Sequence, residues 1–317
     1  MSIANPFLHD AEHNSGQQKS NKLKMLAAVA SVSVAAILII TKLIAYLWTD
    51  SVSLLSSLMD STIDALASVV TLISIKHAAE PADEAHRYGH GKLEALSAMA
   101  QAVFITGSAI FLFYESLHRF VHPQPLEKVG LGYFVMSLSI VLTLALVMFQ
   151  KYVVRKTGSV AIDADHMHYK GDLLMNVGVI AALFLTSYTG WSYFDPIFAL
   201  AIVAILLHSA WEVGSVAYDI LMDRELPEED RQKIKEIAKA HPSARCVHDL
   251  RTRSTGQNVF IEFHLEMDGD MTLDQAHLVT EEIELMLYKS FPTSEVLIHQ
   301  EPAGDEHDKL DERLKEE

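Results

Sequence analysis

The sequence predicts an all-α bundle of six membrane spans, followed by a C-terminal cytoplasmic α+β domain of order αββαβ. Three observations carry this. Apolar runs fill most of the stretch from Leu26 to Tyr218, whereas Arg224 to Glu317 is charged and mixed. Six of those runs reach the roughly 20 residues that a helix rising about 1.5 Å per residue needs to cross the hydrocarbon layer. Beyond them, the hydrophobic period changes from helical to alternating.

The spans fall at 25–48, 52–76, 94–118, 129–152, 160–187 and 194–219. Thr49-Asp50-Ser51 leaves room only for a tight reversal between the first two. The third is rich in Ala, Gly and Ser, which permit close helix contact, and the fourth has no charge from Gly132 to Phe149. A polar tail, 1–24, precedes the transmembrane region 25–220. Met1 to Asn21 has no signal-peptide pattern, so the first apolar run is read as a span. Lys19, Lys22 and Lys24, then Lys76, Arg87 and Lys92, then Lys151, Arg155 and Lys156, and finally Arg224 flank one side of the bundle. The other side offers Arg119 and Lys128. This asymmetry puts both termini in the cytoplasm.

In the cytoplasmic domain, 224–302, Pro227-Glu228-Glu229 opens a helix reaching about Ala240. Alternation over Arg245–Arg253 and Asn258–Glu266 gives two strands joined at Ser254-Thr255-Gly256-Gln257, with Val259, Ile261, Phe263 and Leu265 on one face. Thr272–Tyr288 reads as a helix and Glu295–His299 as a strand, a ferredoxin-like order. The tail 303–317, with Asp305-Glu306-His307-Asp308, reads as flexible and acidic.

The net charge of −16 argues against nucleic acid as the main partner, because a phosphate-binding surface needs a positive field. The single cysteine, Cys246, excludes an internal disulfide and a cysteine-cluster metal site. It is read as a structural or surface residue.

Charges inside the spans are the most informative feature. Asp60 and Asp64 lie in span two, and His168 and Asp172 in span five. Both pairs are spaced i,i+4, which puts each on one helical face. A mid-membrane carboxylate costs about 2.5–3.5 kcal/mol on the gentlest scale, so the two faces are expected to meet and receive a cation. The plainer alternative pairs Asp60 or Asp64 with Lys42 or Lys170 and leaves His168 as a packing residue. Three carboxylates and one imidazole suit tetrahedral Zn²⁺, with Fe²⁺, Co²⁺ or Cd²⁺ preferred over Ca²⁺ or Mg²⁺. Protons compete for the same groups, which gives a physical route to metal/proton antiport.

Two further clusters stand out. Asp83, His86 and His90, spaced 3 and 4 apart in the loop after span two, either share one ion or are incidental loop residues. His248, His264, His277 and His299, with Asp249 and Glu301 nearby, form a zinc or iron site or are surface histidines. His241, before Pro242, reads as structural.

Four motifs then resemble one family: Asp60-Ser61-x-x-Asp64, Tyr88-Gly89-His90-Gly91-Lys92-x-Glu94, Asp165-x-x-His168-Tyr169-x-x-Asp172, and His248-Asp249-Leu250-Arg251-Thr252-Arg253. From Lys24 to Pro302 the chain resembles the cation diffusion facilitators, especially bacterial zinc and ferrous-iron efflux transporters. The resemblance implies a homodimer in the bacterial inner membrane, with a metallochaperone-like cytoplasmic domain. It implies a secondary active antiporter rather than an enzyme. It makes Asp60, Asp64, His168 and Asp172 the transport site and Asp83, His86 and His90 a loop site. His248, His264, His277, His299 and Glu301 become a binuclear site, and Lys92 and Asp223 an ion pair between protomers. Glu301 departs from the usual Asp and Asp50 from the usual Gly. An importer, a membrane-bound hydrolase and a metal sensor are the competing readings.

Overall fold

The structure, a computed structural model, describes residues 6–50, 52–121, 130–191 and 193–304. Lys128, the start of span four and the tail beyond Gly304 lie outside the described residues. The elements are α1 (Pro6–Thr49), α2 (Val52–Ala78), α3 (Lys92–Val121), α4 (Gly130–Thr157), α5 (Val160–Thr189) and α6 (Phe194–Leu221). There follow α7 (Glu228–Lys239), β1 (Cys246–Ser254), β2 (Val259–Met267), α8 (Leu273–Ser290) and β3 (Ser294–Pro302). The chain divides into two units, Gly16–Tyr218 and a second comprising Asp219–Glu317 with Met1–Ser15.

Among the described residues, six helices are long and apolar enough to span a bilayer. In lipid the backbone must satisfy its own hydrogen bonds, which a helix does internally. The bundle accordingly turns large apolar side chains outward, among them Trp48, Phe111, Met148, Phe184 and Trp211. The first helix begins at Pro6, well before the expected span at residue 25, because nothing between the polar tail and the apolar run breaks the helix. The reversal after it turns on Asp50, whose φ is +51°. Glycine takes this left-handed conformation freely and Asp tolerates it, so the departure noted at this position fits its backbone.

Small residues bring the helices together. Ala27 and Ala28 of α1 pack with Ile75 of α2, Val153 of α4 and Ala161 and Ile162 of α5. Ala98 and Ala102 of α3 pack with Ala164 of α5 and Val213 and Ala217 of α6. Helix α5 therefore runs through the middle, against partners from every other span. A Cβ at Gly171 would stand 2.4 Å from Leu206 Cδ2, and one at Gly178 2.8 Å from Ile202 Cδ1. These two glycines set how closely α5 approaches α6.

In the second unit the sheet order is β1-β2-β3, with β1 antiparallel and β3 parallel to β2. Ile261, Phe263 and Leu265 of β2 face a core completed by Ile234 of α7, Val247 and Leu250 of β1, Ile283 and Leu287 of α8, and Val296 of β3. Both helices pack on this face, as the alternation predicts. The simple alternation expected of β1 is broken. Its register shifts between His248 and Arg251, with Asp249 at φ +52°, a bulge that returns Leu250 to the core. Helix α8 is held at its start by a reciprocal capping box between Thr272 and Gln275.

Candidate metal centres

Helix α5 is started by Ser159, whose side chain accepts from the Ile162 amide. Two turns on, His168 is 5% exposed and its Nε2 lies 3.0 Å from Asp64 Oδ1 of α2 and 3.7 Å from Asp172 Oδ2. One ligand atom from each of Asp64, His168 and Asp172 falls within 4.8 Å of the others. Two of these residues share a face of α5 and the third meets them from α2. Asp60, one turn before Asp64, is exposed and stands outside this set. No direct ion pair of Lys42 or Lys170 with Asp60 or Asp64 is seen among the described contacts, although the half-buried Lys42 ammonium lies within electrostatic reach of Asp60, Asp64 and Asp172. Lys42 donates to Ser61 Oγ at 2.6 Å and to the Ser57 carbonyl at 3.1 Å, while exposed Lys170 reaches Met167.

Three residues before His168, Asp165 is fully buried and gathers donors from four other helices. Ser31 Oγ of α1 lies at 2.6 Å and Gln150 Nε2 of α4 at 2.7 Å. Ser68 Oγ of α2 and Gln101 Nε2 of α3 follow at 3.4 and 3.3 Å. Sequence reasoning placed Asp165 in a motif without giving it a role. Its signal was an unexplained charge in a span, at i,i+3 from His168. A buried ion pair was also missed: Lys24 Nζ of α1 is 2.7 Å from Glu94 Oε1 of α3, with side chains 4% and 3% exposed.

In the loop before α3, Asp83, His86 and His90 come together. Asp83 Oδ1 accepts from the His86 amide at 2.6 Å and the Ala85 amide at 2.8 Å. The His86 amide is the main reason its carboxyl lies below the usual range. His86 Nδ1 lies 3.2 Å and His90 Nε2 3.4 Å from Asp83. The His90 Nδ1 is buried without a hydrogen-bond partner.

On the cytoplasmic sheet, His248, His264 and Glu301 converge on the face opposite the core. Glu301 Oε1 is 2.7 Å from His264 Nδ1, and Oε2 is 3.2 Å from His248 Nε2. The longer glutamate reaches both rings. Exposed His299 is next to this group, with its Nε2 3.5 Å from Glu301. His277 is not brought in: it lies on α8, in the helix layer across the sheet, 65% exposed and 3.4 Å from Glu281. His241 pairs with Glu282 at 2.9 Å. Lys92 opens α3, and Asp223 follows α6 with φ +54°.

The family model of the cation efflux transmembrane domain matches residues 28–222, and that of the cation efflux protein cytoplasmic domain matches 226–303. The chain belongs to the cation diffusion facilitator family. Cation-efflux pump FieF of Klebsiella pneumoniae is 44% identical over 287 residues, 90% of this chain and 95% of the relative. Its counterpart in Shewanella oneidensis is 47% identical over 277 residues, 87% of this chain and 93% of the relative. As a cation diffusion facilitator, the chain is a multi-pass cation efflux transporter and not an enzyme.

Proposed function

We propose that this protein exports Zn²⁺, and with it Fe²⁺, Cd²⁺ or Co²⁺, from the cytoplasm in exchange for protons. It works as a homodimer in the bacterial inner membrane with both termini cytoplasmic. The observation that carries the reading is the meeting of Asp64, His168 and Asp172 between two spans. Grouping carboxylates in a bundle is costly unless a cation or protons neutralise them. Imidazole and carboxylate hold a borderline divalent ion, and each ligand that binds it sheds or withholds a proton. Asp60 is the fourth ligand in this proposal, joining from the next turn of α2 when the cation draws the helices together. Rocking of the helices would then offer the site to each side in turn.

The region 25–220 is the transport body and 224–302 the cytoplasmic dimerisation and metal-binding domain. The loop residues Asp83, His86 and His90 hold a second ion. The group His248, His264, His299 and Glu301 holds resident metal, without His277, which lies on the other side of the sheet, and Lys92 and Asp223 pair between protomers. The donor chemistry of the sheet group fits Zn²⁺: imidazoles face a shared carboxylate at 2.7 and 3.2 Å.

The test is metal flux in proteoliposomes under an imposed pH gradient. Wild type is expected to move Zn²⁺ against the proton flow, and Asp64→Ala, His168→Ala and Asp172→Ala to abolish it. Unchanged flux in Asp64→Ala and His168→Ala would sink the site assignment. Metal running with the protons would indicate an importer.

A further inference from the structure

The face of the cytoplasmic sheet opposite its core carries a grid of ligand-type side chains. Register pairs Cys246 with Glu266 and Glu266 with Glu301, and in the next row His248 with His264 and His264 with His299. The second row and Glu301 belong to the group already described. Cys246 and Glu266 do not.

One ligand atom from each of Cys246, His248 and Glu266 lies within 4.8 Å of the others. The His248 imidazole lies between the two groups. Its Nε2 is 3.2 Å from Glu301 Oε2, whereas its Nδ1 points the other way, 3.5 Å from Glu266 Oε1. The His248 side chain is 7% exposed, and Nδ1 is buried with no hydrogen-bond partner. When the neighbouring group holds no metal, a carboxylate beside Nε2 favours the tautomer with its proton there, which leaves a lone pair on Nδ1. As a neutral imidazole His248 therefore serves one group or the other, not both at once. A carboxylate backing the far nitrogen is how metal-bound histidines are commonly oriented. Two ligand atoms about 2.0–2.1 Å from a tetrahedral ion stand roughly 3.3 Å apart, close to the 3.5 Å between Nδ1 and Glu266.

We infer that Cys246, His248 through Nδ1, and Glu266 form a thiolate-bearing site for a soft or borderline divalent cation, Zn²⁺ or Cd²⁺. Sulfur distinguishes it from every other cluster in the chain, because the rest offer only nitrogen and oxygen. Thiolate raises the preference for Zn²⁺ and Cd²⁺ over harder ions. Binding converts the Cys246 thiol to a metal-bound thiolate and releases its proton to solvent. Partial exposure of Cys246 leaves the ion an approach from solvent. The site rests on no part of the transport mechanism.

The chain has one cysteine, so any metal–thiolate signal from the purified full-length protein reports Cys246. With Cd²⁺ alone as the probe, a sulfur-to-cadmium charge-transfer band is expected to appear and saturate. Alkylation of wild-type Cys246 by iodoacetamide is expected to slow in parallel, a readout that needs no variant. Cys246→Ser abolishes the band. Glu266→Gln is expected to weaken the Cd²⁺ affinity it reports by about 10–100-fold, while His264→Ala and Asp172→Ala leave the band in place. Absence of the band with unprotected alkylation overturns the inference. So does a band whose affinity is unmoved by Glu266→Gln and His248→Ala, since the thiol then binds cadmium without this site.

Discussion

Breaking the buried pair between Lys24 and Glu94 tests whether the bundle is clasped where α3 begins. Lys24 Nζ and Glu94 Oε1 stand 2.7 Å apart with side chains 4% and 3% exposed. The other carboxylate oxygen accepts from Ser159 Oγ at 2.5 Å, and Ser159 caps α5. Three helices therefore depend on one carboxylate. Removing one partner leaves the other charge buried and uncompensated, which costs about 3–5 kcal/mol. That is roughly a hundred- to several-thousand-fold in the folded-to-unfolded ratio. Lys24→Met and Glu94→Gln are each expected to show this loss. The double variant Lys24→Met/Glu94→Met removes both charges at similar volume and leaves neither buried alone, so it should lose clearly less than either single variant. Reversible unfolding in mixed micelles, followed by tryptophan fluorescence, measures all three. Single variants within about 1 kcal/mol of wild type, or additive losses in the double, would refute the clasp.

Two other perturbations address α5. Gly171→Ala puts a methyl group where Leu206 Cδ2 stands 2.4 Å away, and overpacking of this kind costs about 1–3 kcal/mol. In the same unfolding assay Leu206→Ala should cost less in the Gly171→Ala background than in wild type; equal cost in both would show that the contact does not set the helix spacing. Asp165→Asn keeps the shape but turns one acceptor into a donor facing Ser31 and Gln150 or Ser68 and Gln101. Leaving a buried donor unsatisfied there is expected to cost about 1–3 kcal/mol, and unchanged stability would mean the network does not hold the helices.

The spans and the αββαβ order were legible because each is a local period: apolar runs for the helices, and alternation at Val259, Ile261, Phe263 and Leu265 for β2. The cluster around His90 and three members of the one around His168 were legible too, from 3-and-4 and i,i+4 spacings, but the same spacing also put Asp60 with Asp64, and Asp60 stands outside the set. The bulge at Asp249 was not, because a single inserted residue leaves the polarity pattern around it almost intact. Nor was the place of Cys246 and Glu266. They lie 20 residues apart in the chain and meet through the β1–β2 register, which no local period encodes. His277 reads like its neighbours in composition, and its separation from the grid follows from α8 packing on the sheet's other face.

Asp165 and Asp172 show what tertiary structure adds to a charge in a span. Both are aspartates on α5, and by composition either could be a ligand. Asp165 is 0% exposed and is met by hydroxyl and amide donors from α1, α2, α3 and α4. A carboxylate supplied in this way gains little from a cation, and binding one would mean dismantling four helix contacts. Asp172, with its side chain 26% exposed, faces the His168 imidazole at 3.7 Å and shares its surroundings with the Asp64 carboxylate. Two like charges beside one imidazole, with the Lys42 ammonium in electrostatic reach of both, favour the approach of a further cation or of protons. The donors, dispersed over four helices at Ser31, Ser68, Gln101 and Gln150, make Asp165 a fixed post of the bundle and leave Asp172 outside that network, as its proposed transport role requires.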